Sequence, residues 1–156
     1  IFGLKGGGDA FVPLAMATKR KRPAEPGSPA KRRAKLYDDA AEVEVTTAAA
    51  LRKWLGKNHA REAGVWLVTY KKSAGDRYVS WDAVVDELLC FGWIDSTRQT
   101  RDELRTAIWI TPRRPKSNWS ALNKKKVARL QAVGRLAAPG RAVIQAAKAS
   151  GTWAAL

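Results

Sequence analysis

Two short stretches gather the side chains that could do chemistry. The first is Leu88-Leu89-Cys90-Phe91-Gly92-Trp93-Ile94-Asp95, which sets one thiol and one carboxylate in an apolar run. The second is Thr111-Pro112-Arg113-Arg114-Pro115-Lys116-Ser117-Asn118-Trp119-Ser120-Ala121-Leu122-Asn123, a basic turn bracketed by prolines. In it, Ser117 is expected to cap a helix over about residues 118–133. Free N–H groups and the helix dipole favour an anion at such an end. Arg113, Arg114 and Lys116 add donors suited to phosphate or carboxylate. Trp119 and Asn123 are four apart and would share a helix face. The expected ligand-binding set is therefore Arg113, Arg114, Lys116, Ser117, Trp119 and Asn123, joined by His59, the one imidazole in the chain. A structural reading of the same residues stands beside it. In that reading Arg113 pairs with Asp95 or Asp102, Trp119 is core, and His59 merely ends a helix.

Cys90 is the only cysteine. A nucleophilic thiol needs a base and an oxyanion pocket. Cys90 falls instead near the C-terminus of a predicted helix, where the dipole disfavours a thiolate. A free cysteine in an apolar run is usually a small buried residue. No catalytic residue is assigned, and an enzyme using Cys90 or His59 is kept as an alternative. One Cys and one His cannot build a tetrahedral zinc site, and neither metal nor cofactor is expected. Intrachain disulfides are impossible.

The elements that must position these residues follow from periodicity and punctuation. Leu51, Trp54 and Leu55 mark a helix over residues 48–58, capped by Thr46 or Thr47. Val65-Trp66-Leu67-Val68-Thr69-Tyr70 is a strand. Ser80 caps a helix reaching about Phe91, with Trp81, Val84, Val85, Leu88 and Leu89 on its apolar face. Short strands follow at 93–97 and 104–111; Pro112 and Pro115 stop the second. After the 118–133 helix, Pro139 begins a last one that Gly151 ends. The expected fold is α+β, a small antiparallel sheet packed by four helices in the order αβαββαα.

The net charge is +15. Residues 1–38 carry nine Lys/Arg against three Asp/Glu, and the rest twenty against eleven. The body is thus basic without its tail, which favours an anionic ligand or nucleic acid as partner. Residues 1–40 are expected to be a disordered basic tail and 41–156 the folded domain. Lys19, Arg20, Lys21 and Arg22, then Lys31, Arg32, Arg33 and Lys35, flank a Pro-rich spacer. Two such clusters on an extended backbone form a bipartite signal for a nuclear import receptor. No stretch reaches the apolar length of a membrane span, and the glycine-rich start lacks a signal-peptide core. A nuclear or cytoplasmic location, not secretion, is expected.

Several islands over residues 50–153 together resemble the YdeI/OmpD-associated (OmdA, bacteriocin-protection) family. They are Trp54-Leu55-x-x-Asn58-His59, Gly64-Val65-Trp66-Leu67 with Tyr70-Lys71-Lys72, the two stretches above, Gly134-Arg135-Leu136, and Ala147-Lys148-x-x-Gly151-x-Trp153. Leu89 and Thr100-Arg101 depart from its pattern. The resemblance implies a small α+β domain, no established reaction, and a loose link to stress or antimicrobial-peptide resistance. The combined expectation is a non-catalytic binder of an anionic ligand, with a nuclear nucleic-acid-binding protein as the alternative.

Overall fold

In a computed structural model, residues 28–155 are described. Helix α1 covers Pro29–Asp38. Ser28 opens it: its hydroxyl accepts from the Lys31 backbone N–H at 3.3 Å and its carbonyl from that of Arg32 at 2.9 Å. Residues 29–38, expected to belong to a disordered tail reaching residue 40, form a helix instead. Ala30, Ala34 and Leu36 are strong helix formers, and Pro29 is pre-organised for a first turn. Lys31, Arg32, Arg33 and Lys35 are exposed on this helix and not on the extended backbone expected of them. Lys19, Arg20, Lys21 and Arg22 lie outside the described residues.

The body, which begins at Leu36, is α+β. Its elements are β1 (Glu42–Glu44), α2 (Ala48–Asn58), β2 (Val65–Tyr70), a 3-10 segment (Lys72–Arg77), α3 (Trp81–Cys90), β3 (Trp93–Thr100), β4 (Arg105–Pro112), α4 (Ala121–Ala132), α5 (Ala138–Ser150) and a short 3-10 turn (Thr152–Ala154). The four strands form one sheet in the order β1-β2-β4-β3. The sheet is mixed and not antiparallel throughout, because β1 runs parallel to β2 with Glu42 opposite Trp66. Three residues carry no readable alternation. What places β1 is the open edge of β2, whose backbone groups need partners. Arg101 pairs with Glu42, and Arg105 with Glu44 at 3.0 Å, fastening this strand across the sheet.

Alternation divides the sheet cleanly. Val65, Leu67, Ile108 and Ile110 face the main core with Leu51, Leu55, Leu88, Trp93 and Trp119. Trp66, Val68, Ala107 and Trp109 form a second cluster on the opposite face. Tyr37 closes over it, its ring 5.0 Å from Trp66 and 4.8 Å from Trp109. Burial on both faces explains why β2 reads as an unbroken apolar run.

Two caps match the sequence reading: Thr47 accepts from Ala50 N–H at 3.0 Å, and Ser80 from Ala83 N–H at 3.1 Å. Helix α3 is the central packing element, touching α2, α4, α5 and β3. Gly92, at φ 73, turns the chain from α3 into β3. Helix α5 crosses the end of α3 so closely that a Cβ on Gly140 would lie 2.1 Å from the Cys90 carbonyl oxygen. That carbonyl accepts from Ala137 N–H at 3.0 Å.

Candidate functional site

Strand β4 ends at Pro112. Proline has no N–H to extend the ladder, but Arg113 N–H still donates to the Gly92 carbonyl at 2.9 Å. The two chemically dense stretches are thereby joined: Trp93 sits opposite Pro112, and Asp95 opposite Ile110. After Arg113 the chain turns. Ser117 N–H donates to the Arg114 carbonyl at 2.9 Å, with Pro115 inside the turn.

Arg113 folds back over this turn and is 8% exposed. Its guanidinium carbon lies 3.8 Å from the Trp119 ring centre. Nη1 donates to Ser117 Oγ at 3.3 Å and to the Asn118 carbonyl at 3.2 Å. Nε is buried and has no hydrogen-bond partner among the described residues. Burial pushes this guanidinium down to about 10, and the charge of Asp95 pulls weakly the other way. Neither expected ion pair forms. Asp102 is taken by Arg105 at 2.7 Å. Asp95 makes no ion pair among the described residues, and its own burial pushes it up, only partly offset by its backbone and by the charges of Arg98 and Arg113.

Trp119 is core, at 1% exposure. It precedes α4, because Ser120 and not Ser117 is the cap: Ser120 Oγ accepts from Asn123 N–H at 3.1 Å. Both serines satisfy the local pattern. Ser117 is diverted because its hydroxyl accepts from Arg113, and the buried Trp119 ring holds the approach outside the helix. The basic turn therefore does not abut the helix N-terminus, and the dipole contribution expected there moves to Ser120.

The turn forms one wall of a cleft of about 250 Å³. Arg113, Arg114, Pro115 and Trp119 line that wall; Val143, Ala146, Ala147 and Ser150 of α5 line the other. Arg114 is exposed. Four expected members, Lys116, Ser117, Asn123 and His59, are elsewhere. Lys116 is exposed outside the lining, Asn123 spends its backbone on the cap, and Ser117 lies beneath the guanidinium. His59 caps α2, its Nδ1 3.2 Å from the Leu55 carbonyl, with its ring stacked 6.0 Å from Phe91. The α5 wall was missed. Its signal was present, since 143, 146, 147 and 150 fall at i, i+3, i+4 and i+7, small or β-branched residues on one helix face. Outside the lining, Trp153 packs on Trp119 with ring centres 5.0 Å apart, and Lys148 and Lys124 lie 4.9 Å and 5.9 Å from its ring.

Cys90 belongs to a different group. It is fully buried. Burial pushes the thiol up, with a hydrogen bond from Arg52 acting against that. Beside it, Glu87 is held by Arg52 at 3.1 Å and by Arg135. This is a closed ion-pair cluster that ties α2 and the 134–136 segment to α3. A thiolate nucleophile requires access and a lowered pKa, and Cys90 has neither.

Among the described residues no three His, Cys, Asp or Glu side chains converge as metal ligands, and no helix is long and apolar enough to cross a membrane. No curated protein and no solved structure matches the chain. Residues 43–143 match the family model described as Domain of unknown function (DUF8412). The chain therefore belongs to the DUF8412 family, whose matched span runs from β1 into α5 and takes in the whole 113–119 turn.

Proposed function

We propose that this domain is a non-catalytic binder of a small anionic ligand, held in the cleft between the 113–119 turn and α5. The observation that carries the reading is the state of Arg113. Among the described residues that buried guanidinium has no carboxylate partner, and its Nε has no hydrogen-bond partner. Burying an unpaired charge is costly, and an anion at the cleft mouth would offset that cost. Arg114 stands at the same wall, free to swing onto such an anion. Val143, Ala146, Ala147 and the Trp119 ring favour a ligand whose charge is carried on an apolar body. Enclosure suits a single small molecule: the volume lies near the lower bound of about 300 Å³ for ligand pockets.

Kinship to the YdeI/OmdA family is part of this proposal, and with it a role in stress or antimicrobial-peptide resistance. What supports it is that the two most specific islands, at 88–95 and 112–123, meet in the sheet where Trp93 pairs with Pro112. The test is calorimetric titration with phenyl phosphate and inorganic phosphate. Phenyl phosphate is expected to bind more tightly. Arg114→Glu should weaken it by well over tenfold, roughly 1.4 kcal/mol or more, and Lys116→Glu by much less. Equal binding by Arg114→Glu and parent at low salt would refute the site.

A further inference from the structure

A second cleft, of about 290 Å³, opens between the 71–78 loop, the start of α3 and strand β3. Its floor is apolar: Val79, Val84 and Ile108 are each buried. Its walls are aromatic: Tyr70, Tyr78 and Trp81 all line it. Tyr78 is 42% and Trp81 40% exposed, although Trp81 begins a helix whose other apolar residues are core. Its rim is cationic, carrying Lys71, Lys72 and Arg98, and among the described residues no carboxylate lines it. The Arg98 guanidinium carbon lies 3.3 Å from the Trp81 ring centre, and Arg77 covers Tyr70 at 4.4 Å. A register shift in β3 between Asp95 and Arg98 breaks the ladder just before that arginine. Such irregularities re-aim side chains. Arg98 forms no ion pair among the described residues; Asp95 feels its charge without pairing.

We propose that this cleft binds a nucleobase with its attached phosphate, presented by single-stranded nucleic acid. Stacking needs an exposed ring or guanidinium face, which Trp81, Tyr78 and Arg98 supply. Phosphate needs cations beside that face that no carboxylate neutralises, which Arg98, Lys72 and Lys71, its ammonium 3.3 Å from the Asp102 carbonyl, supply among the described residues. One base fits the volume. A duplex does not, because its bases are stacked inward and cannot enter. The basic body draws a polyanion to the surface, and the aromatic walls select an unstacked strand from among polyanions. The site is distinct from the Arg113 cleft and shares no residue with it.

The experiment uses the full chain and a fluorescent oligothymidylate carrying one 5-bromouracil, read by anisotropy and by photo-crosslink mapping. Crosslinks are expected at Tyr78 or Trp81. Trp81→Ala should weaken binding roughly tenfold or more, and Arg98→Glu likewise. Arg114→Glu should leave the Trp81 dependence intact, which separates this site from the anion cleft. Duplex DNA should bind more weakly, with no dependence on Trp81. Thymidine monophosphate decides the source of the base: strong competition assigns a free nucleotide, weak competition a strand. Because Trp81→Ala removes some packing, the exposed Arg98→Glu change is the control for a fold effect. Parent-like binding by Arg98→Glu, or crosslinks confined to residues 1–38, would overturn the proposal.

Discussion

Replacing Arg113 with Met separates what the fold needs from what the ligand needs. The guanidinium is pushed down to about 10, a loss on the order of 3 kcal/mol in preference for its charged form. Against this stand two hydrogen bonds from Nη1 to neutral acceptors and a stack on Trp119, the stack contributing about 2 kcal/mol when desolvated. The sum is close to zero. Met keeps the flexible apolar stem against Trp119. Ser117 is partly exposed and Asn118 exposed, so water can replace the lost donors. Hydrophobic replacement of buried charge is often neutral or stabilising. Arg113→Met should therefore melt within about 1 kcal/mol of the parent, where a residue held by an ion pair would lose about 3–5. Ligand response should differ sharply. At a hundredfold excess over Kd, phenyl phosphate should stabilise the parent by about 2.7 kcal/mol, a rise on the order of 10 °C in Tm for a body of this size. The variant should show almost none of that rise. The assay is thermal melting by circular dichroism, with and without phenyl phosphate. If Arg113→Met unfolds the domain, the arginine is structural; if it keeps the ligand-induced rise, the cleft does not use it. Either result refutes the reasoning.

Gly140→Ala should destabilise the domain by about 1–3 kcal/mol through overpacking, reversing the roughly 1 kcal/mol gain that Ala normally gives in a helix, because the new Cβ would meet the Cys90 carbonyl at 2.1 Å; chemical denaturation measures it, and a stabilised variant would contradict the close crossing of α3 and α5. Cys90→Ala should cost about 1–2 kcal/mol and leave phosphate binding unchanged, and the native thiol should react with a thiol probe no faster than the protein unfolds. Asp95 is pushed up by burial, so the folded state holds its proton to higher pH than the unfolded chain does. Stability from this group is present below its unfolded pKa and falls as pH rises through the folded one. Asp95→Asn should therefore flatten the loss of stability between those two values, visible as a smaller fall in Tm on raising pH from the acid side; an unchanged slope would mean that Asp95 is solvated.

Much of the body was legible from neighbours in the chain. Leu51 and Leu55 for α2, the alternation through Ile108 and Ile110, the caps Thr47 and Ser80, and the Gly151 stop each depend on residues within about one turn or one pleat. Burial of Cys90 followed from the same apolar run that marks α3. What chain neighbours could not decide was partnership at a distance. Ser117 and Ser120 satisfy the same capping pattern, and the arginine lying across the turn together with the buried Trp119 ring selects between them. Asp95 and Asp102 looked like equal partners for Arg113, yet Arg105 takes one and burial isolates the other. Trp81 fits an apolar helix stripe, but it stays 40% exposed with the Arg98 guanidinium on its ring, so it stands at a cleft mouth. The parallel pairing of β1 and the α5 wall opposite Arg113 arise from the closing of loops longer than any local pattern spans. Periodicity and capping are short-range properties of the backbone and are encoded residue by residue. A cleft is a gap between elements, and its chemistry is set by which side chains packing leaves unpaired.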